Sequence, residues 1–344
     1  MSIPFANESA ESAESAESAE SAESAESAES AGTTSGLIAY SGRRTSPFLA
    51  RALWTTQGEI TRGLGSGSPD LKHHPLDVRA AMRRWSPDVR YRIYAFELVG
   101  GLYFDDTVAD VAELWSLSSA LGAAAAGVRS GSFKLIARLE RPKYDYKQTG
   151  AIPATAPGDT LENEFKDTMK MAALRNDRMA EILTQVTVPY PFFAMVLNLQ
   201  PGRHRFTFEM MAAAFNFASA VGQRFKHRFR VVRPADRSSL IQPVLLTPGH
   251  SSYPAGHAAQ CHLVNVILAQ LLDTLATLEI KSQLEALANR ISENRVVAGL
   301  HFNVDNAQGK VLGEKLAGYF IDKSKVAGSG LEWLWRRAKD EWPK

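Results

Sequence analysis

The chain contains 344 residues, of which 45% are hydrophobic and 22% are charged, and these ordinary proportions argue against a collagen-like, fully disordered or disulfide-scaffold protein. Residues 8–31 are eight Glu-Ser-Ala triplets, which hold 8 of the 37 acidic residues and none of the 39 basic residues. Outside this tract, 39 basic residues stand against 29 acidic residues, and the resulting net charge of +10 favours anionic ligands or surfaces.

Cysteine content and hydropathy restrict the class of protein further. The single cysteine, Cys261, excludes an intrachain disulfide and a cysteine-rich zinc site. The N-terminal residues lack the basic region and apolar run of a secretory signal. No stretch reaches the roughly 18 uninterrupted apolar residues of a membrane span. The sequence therefore predicts a soluble, cytoplasmic protein that does not contact a membrane.

Along the chain, a low-complexity segment precedes a helical region. The Glu-Ser-Ala tract has no large apolar side chain to bury, so residues 1–36 are predicted to form a disordered tail. From about residue 76 onward, apolar residues recur at spacings of three and four, which is typical of amphipathic helices. The predicted helical segments are residues 78–99, 108–128, 161–186, 208–225, 257–278, 284–297 and 312–321. Since no linker divides them, we predict a single all-α domain over residues 37–344.

The first stretch that points to chemistry lies at the end of a predicted helix. Lys226 and Arg233 are seven residues apart, which is two helical turns, and Pro234 follows directly. A helix that ends before Pro234 would deliver both cations to one point. Two cations held at one point are typical of an oxyanion site.

Two later stretches add groups of the same kind. Gly256 and His257 precede a long apolar segment and are expected at a helix N-terminus, where free backbone N–H groups bind oxyanions. Arg295 precedes His301 by six residues, and His301 precedes Asp305 by four, so the carboxylate can orient the imidazole. Together the three stretches predict an oxyanion cage of cations, N–H donors and histidines within residues 226–305.

At these residues the chain resembles the superfamily that joins type 2 phosphatidic acid phosphatases (PAP2), bacterial class A acid phosphatases and vanadium-dependent haloperoxidases. The family motifs are Lys-x6-Arg-Pro, Pro-Ser-Gly-His and Ser-Arg-x5-His-x3-Asp, and their counterparts occur here in the same order between Lys226 and Asp305. The resemblance implies a helical bundle of the vanadium haloperoxidase and acid phosphatase type. For a haloperoxidase it also implies vanadate as the cofactor.

Carried over position by position, the resemblance implies a role for each site residue. The non-bridging oxygens of vanadate or phosphate would be held by Lys226, Arg233 and Arg295, with a backbone N–H from Gly256. His257 would act as acid or base at the apical oxygen. His301 would be the axial ligand to vanadium in a haloperoxidase or the phosphorylated nucleophile in a phosphatase, and Asp305 would support it.

Two positions depart from the family pattern. Ala255 stands where the family usually has the serine of Pro-Ser-Gly-His, so one hydroxyl donor to the anion is missing at this cofactor-binding position. A hydrogen bond to a charged group is worth about 1.5 to 3 kcal/mol, so we expect weaker anion binding. Asn294 replaces the serine before Arg295, a change that we expect to be secondary.

The resemblance also indicates a branch of the superfamily. The membrane phosphatases need spanning helices, and the small acid phosphatases are shorter than residues 37–344, so the favoured branch is the soluble bacterial-type haloperoxidases. His250 stands where algal bromoperoxidases carry histidine and fungal chloroperoxidases carry phenylalanine, which favours bromide or iodide over chloride. The expected catalytic residues are therefore His257, Lys226, Asp305 and His250.

The expected reaction is the oxidation of bromide or iodide by hydrogen peroxide, with Lys226 polarising the peroxide. The hypohalous acid that forms would halogenate a small organic acceptor. One alternative is a soluble phosphatase that hydrolyses phosphate monoesters through a phosphohistidine at His301. Another is a catalytically silent oxyanion-binding homologue, which the missing serine hydroxyl at Ala255 favours.

A competing interpretation concerns the basic strip between Arg224 and Arg237, whose spacing also suits a nucleic-acid surface. Only Phe225 and Phe229 interleave with its charges, and no nucleic-acid-binding fold accompanies it. A solvated helix face with two site cations explains the strip more simply, so we expect no nucleic-acid partner. Because helical haloperoxidases often assemble through apolar faces, we expect a homo-oligomer, most simply a dimer.

Overall fold

The computed structural model describes residues 82–83, 85–118, 132–142 and 161–343. The predicted disordered tail over residues 1–36 lies outside them. Contacts divide the chain into two units, Met1–Ile93 and Tyr94–Lys344, and most of the first unit also lies outside the described residues. The prediction of a single domain over residues 37–344 stays a prediction.

Helices dominate the described residues, and the predicted all-α class is confirmed. Within the described ranges, no helix combines the length and the apolar character that a membrane crossing requires. In chain order the helices are α1 (Pro87–Val99), α2 (Leu161–Met171), α3 (Arg175–Thr184), α4 (Tyr190–Leu197), α5 (Arg205–Phe229), α6 (Pro234–Arg237), α7 (Gly256–Leu272), α8 (Leu278–Val297), α9 (Asn303–Lys323) and α10 (Gly330–Lys339). Helices α5, α8 and α9 begin three, six and nine residues before the predicted segments, and α7 ends six residues before the predicted end at residue 278.

A small antiparallel sheet lies between α1 and α2 in the chain. It consists of β1 (Leu102–Asp105), β2 (Val111–Ser118) and β3 (Ser132–Glu140), with β2 in the middle. Leu102 pairs with Ser116, and the register of β2 with β3 shifts at a bulge between Leu114 and Trp115. The Tyr253 hydroxyl donates to the carbonyl of Glu140 at 2.7 Å, so the end of β3 supports the loop that precedes α7.

The prediction of a helix over residues 108–128 is wrong for the described part of that segment. Val111, Leu114 and Leu117 recur at a spacing of three, which imitates a helical face. In β2, however, Ala112, Leu114 and Ser116 are buried while the residues between them are partly exposed, a period of two. Pairing with strands on both sides satisfies the backbone of β2, and sequence periodicity alone does not reveal those partners.

Helix α7 is the centre of the helical unit, because it packs against α5, α8, α9 and α10. Glycines let α9 approach it closely. A Cβ at Gly309 would lie 2.5 Å from the carbonyl oxygen of Ala255, and a Cβ at Gly313 would overlap the backbone of Ala259. The close contact holds the first turn of α9, which carries Asp305, beside the first turn of α7.

We expect Gly313→Ala to destabilise the protein by about 1 to 3 kcal/mol, because the new methyl group overlaps backbone atoms that can move only if the helices separate. Gly318→Ala is the matched control, since a Cβ at Gly318 on the same helix would meet nothing within 4 Å among the described residues. The control should gain up to about 1 kcal/mol from helix propensity. Urea denaturation midpoints measure the stability of both variants. Equal stability of the two variants would contradict the close packing of α7 and α9.

Candidate active site

The two cations of the first motif approach one loop from different elements. Lys226 lies in the last turn of α5, and its Nζ donates to the carbonyls of Ser251 at 2.7 Å and Ser252 at 3.1 Å. Arg233 is not on that helix, contrary to the prediction. Helix α5 ends at Phe229, Arg230 takes a left-handed conformation with φ of 52°, and Arg233 is extended. The backbone turn therefore brings Lys226 and Arg233 together.

Arg233 connects the second and third motifs. Its Nε donates to the carbonyl of His250 at 3.0 Å, and Nη1 donates to the carbonyl of Leu300 at 3.0 Å. Nη2 lies 3.1 Å from Nδ1 of His250, and Nη1 lies 3.4 Å from Nε2 of His301. Because a guanidinium can only donate, Nε2 of His301 presents a lone pair on this side.

The other nitrogen of His301 faces a buried carboxylate. Nδ1 lies 3.2 Å from Oδ2 of Asp305, and with the lone pair at Nε2 the ring proton belongs at Nδ1, where it is donated to that oxygen. The same oxygen accepts hydrogen bonds from the backbone N–H of Phe302 at 3.0 Å and from the hydroxyl of Ser252. Ser252 was missed at the sequence level, because a serine in a loop before a proline carries no distinctive signal.

Burial and charge keep His301 neutral. Burial lowers the pKa of the imidazole well below its usual value, and the charges of Arg233 and Lys226, followed by those of His257 and His250, lower it further. Burial raises the pKa of Asp305, while hydrogen bonds from Ser252 and Phe302 act in the opposite direction. A neutral imidazole keeps its Nε2 lone pair available as a ligand or a nucleophile at neutral pH.

The second motif lies at a helix N-terminus, as predicted from the sequence. Gly256 is the first residue of α7 and Ala255 is its N-cap, with the Ala255 N–H donating to the carbonyl of Asp305 at 3.0 Å. The Ala255 side chain is buried and contributes no hydrogen-bond donor. A Cβ placed on Gly256 would meet no described atom within 4 Å, so there is space beside the first N–H groups of the helix.

His257 and Arg295 share a partner that the sequence did not suggest. Nε2 of His257 lies 2.9 Å from the carbonyl of Gln185, just after α3, and this nitrogen is therefore protonated because a carbonyl only accepts. Arg295 Nη2 donates to the carbonyl of Ile182 at 3.0 Å and contacts Oε1 of Gln185 at 3.4 Å. Burial lowers the pKa of Arg295 to about 10, so it remains charged at neutral pH.

The first and third motifs contribute three buried cations: Lys226 and Arg233 line the same cleft, while Arg295 donates to the carbonyl of Ile182. Lys226, Arg233 and Arg295 are only 3%, 2% and 1% exposed. Each donates to main-chain carbonyl oxygens, which orient a cation without neutralising its charge. Lys226, Arg233 and His250 also line an open cleft of about 640 Å³. A small anion that enters the cleft would be attracted by the charges of Lys226 and Arg233.

Other members of the basic strip have partners within the protein. Arg224 contacts the carboxylate of Asp106 at 3.2 Å, and Arg228 donates to the carbonyls of Asp106 at 3.0 Å and Val108 at 3.1 Å. Lys226 and Arg233 point inward, as described above. The strip is therefore divided between the candidate site and contacts with the segment after β1.

No family model and no curated protein matches the chain. Among solved structures, 15 chains match. One is the first transmembrane PAP2-type phosphatidylglycerolphosphate phosphatase from Bacillus subtilis, at 20% sequence identity and a TM-score of 0.37, covering 48% of this chain and 89% of that chain. Another is the first bacterial vanadium-dependent iodoperoxidase, at 16% identity and a TM-score of 0.38, covering 51% of this chain and 52% of that chain.

Both branches of the superfamily that the motifs resemble are present among these matches. The chain spans about half the length of the iodoperoxidase.

Proposed function

We propose that this chain is a vanadate-dependent haloperoxidase, which oxidises bromide or iodide with hydrogen peroxide to hypohalous acid. The observation that carries the proposal is the contact between Nη1 of Arg233 and Nε2 of His301 at 3.4 Å, which places a lone pair of the imidazole beside a fixed cation. Vanadate fits such a site, because the cations would bind its oxygens and the imidazole nitrogen would bind its vanadium. The hypohalous acid would halogenate a small organic acceptor.

The donor set fits vanadate. His301 Nε2 would be the ligand to vanadium, and Lys226, Arg233 and Arg295 would hold the oxygens. The space beside Gly256 leaves room for an oxygen near the N–H groups of α7. Among the described residues, no three His, Cys, Asp or Glu side chains are grouped so that they could hold a metal cation. When bound, vanadate supplies a Lewis acid that activates hydrogen peroxide towards attack by halide.

The chain's own residues have distinct parts in this proposal. The ammonium of Lys226 offsets negative charge on the oxygens, and Asp305 fixes the proton of His301 at Nδ1. Nε2 of His257 donates to the carbonyl of Gln185, so a proton transfer to or from an oxygen at the N-terminus of α7 would use Nδ1 of this ring. His250 lies on the cleft wall against Arg233, where halide would approach the site.

The same lone pair supports a second candidate, a phosphatase that acts through a phosphohistidine. Nε2 of His301 is unprotonated and would attack a phosphate monoester whose oxygens are held by the same cations. A doubly protonated His257 would then give the proton at Nδ1 to the leaving oxygen, while Nε2 keeps its hydrogen bond to Gln185. The two candidates share the anion site and differ in the substrate.

Purified protein freed of vanadium should oxidise iodide and bromide with hydrogen peroxide only after orthovanadate is added. The measurement is the rate of halide oxidation with and without orthovanadate, compared with orthovanadate in the absence of protein. Inorganic phosphate should inhibit by competing for the cations. Hydrolysis of p-nitrophenyl phosphate without halide oxidation would favour the phosphatase. If vanadate binds but neither reaction occurs, the chain is a silent oxyanion-binding protein.

A further inference from the structure

Gln185 occupies a central place in the candidate site, although no motif includes it. It follows α3 as the C-cap residue and is 1% exposed. Its carbonyl oxygen lies 2.9 Å from Nε2 of His257. Its side-chain Oε1 accepts from Nδ2 of Asn294 at 2.9 Å and contacts Nη2 of Arg295 at 3.4 Å. One buried residue therefore contacts two of the predicted site residues.

The hydrogen bonds around Gln185 determine which way its amide points. Nδ2 of Asn294 also donates to Oε2 of Glu181 at 2.9 Å. Because an ionised carboxylate only accepts, the NH₂ group of Asn294 must face Glu181, and it reaches Gln185 from the same nitrogen. Arg295 likewise can only donate. Gln185 must therefore turn its oxygen towards both neighbours, so its Nε2 points away from them.

Two buried donors remain unpaired at this place. Among the described residues, neither Nε2 of Gln185 nor Nε of Arg295 has a hydrogen-bond partner, and both atoms are inaccessible to solvent. Buried side-chain donors in folded proteins nearly always have a partner, which can be a ligand or an ordered water. Gln185 contacts His257 through its carbonyl and Arg295 through its side chain, so the two unpaired donors indicate an acceptor near the first turns of α7.

We propose that the side-chain amide of Gln185 is a ligand of the oxyanion, to which it donates a hydrogen bond from Nε2 beside the guanidinium of Arg295. The proposal rests on the proposed function, since it specifies one further contact of the same oxyanion. Ala255, the N-cap of α7, has no side-chain donor, and Gln185 supplies one from the end of α3. Asn294 is a positioning residue, because its amide holds the oxygen of Gln185.

The test is the affinity of the full chain for orthovanadate and for inorganic phosphate, measured by calorimetry at neutral pH. Gln185→Glu keeps an oxygen towards Asn294 and Arg295 but replaces the donor, and Gln185→Met removes both polar atoms. We expect each substitution to weaken the binding of both anions by about ten- to a hundredfold. Gln283→Glu, at an exposed position of α8, is the control for the added negative charge and should leave the affinities unchanged.

The affinity for phosphate, measured at several pH values, distinguishes a hydrogen-bond donor to the anion from a residue that only supports the fold. As the pH falls towards the ordinary glutamate pKa of about 4.3, the new carboxyl becomes protonated and can donate again. The affinity of Gln185→Glu should then approach that of the unaltered chain at the same pH, while Gln185→Met should stay weak. If Gln185→Met fails to fold, the phosphate affinities of Gln185→Glu across the pH range still test the proposal.

Three results would overturn the proposal. Gln185→Glu could bind both anions as tightly as the unaltered chain at neutral pH, which would mean that only the acceptor matters. Its affinity could also stay low throughout the pH series while the unaltered chain binds phosphate. If the unaltered chain binds neither anion, the proposed function fails, and this proposal fails with it.

Discussion

Replacement of His301 by alanine is expected to weaken the binding of orthovanadate by more than about a hundredfold and to abolish vanadate-dependent halide oxidation. The side chain provides the neutral Nε2 lone pair beside Arg233. Partners that merely orient a metal-ligating histidine are already worth about 10- to 100-fold in affinity, so loss of the ligand itself should exceed that. Calorimetric titration with orthovanadate measures the binding, and the halide assay measures the activity.

The choice of control makes this result specific to the site. His262→Ala also removes a buried histidine, but His262 lies further along α7, where its charge environment is set by Lys310 and Glu285. That variant should lose stability and keep its affinity for vanadate. Phosphate, which forms no bond to histidine in its ground state, should bind His301→Ala with a smaller loss than vanadate does. Equal losses for both anions would contradict the assignment of His301 as the ligand.

Local patterns in the sequence predicted most helices around the candidate site, but the segment predicted over residues 312–321 left out the first turn of α9, which carries Asp305. The apolar run after Gly256 predicted a helix beginning at that residue, and α7 begins there. The four-residue spacing predicted that Asp305 approaches the imidazole of His301, and the two side chains are in contact. Both predictions depend on residues close together in the chain, although His301 precedes α9 and meets Asp305 where that residue's carboxylate also accepts from the N–H of Phe302 at the start of the helix.

Features that depend on distant parts of the chain were not predictable in the same way. Arg233 reaches the site from an extended segment, because Arg230 takes a left-handed conformation that residue type alone does not indicate. Ser252 contacts His301, 49 positions away in the chain, and Gln185 contacts Arg295, 110 positions away. Such contacts exist only once α3, α7 and α8 have packed together. The sequence alone does not specify which residues of these helices lie opposite one another.

Arg233→Lys keeps the charge but is expected to destabilise the protein by about 2 to 5 kcal/mol and to weaken anion binding. Arg233 donates in different directions to the carbonyls of His250 and Leu300 and also contacts Nδ1 of His250. A lysine ammonium is a single point at the end of a flexible stem and cannot reach these acceptors together. Each buried carbonyl that loses its donor costs about 1 to 3 kcal/mol. Urea denaturation gives the change in stability.

The comparison that isolates geometry from charge is Arg336→Lys, which makes the same substitution at an exposed position of α10 and should change stability by less than about 0.5 kcal/mol. If Arg233 acted only through its charge, Arg233→Lys would resemble this control and would bind orthovanadate normally. A large loss of stability together with weaker vanadate binding would instead mean that the directions of the guanidinium donors matter. Arg233 would then hold the loop at His250 and the end of α8 in the positions that form the anion site.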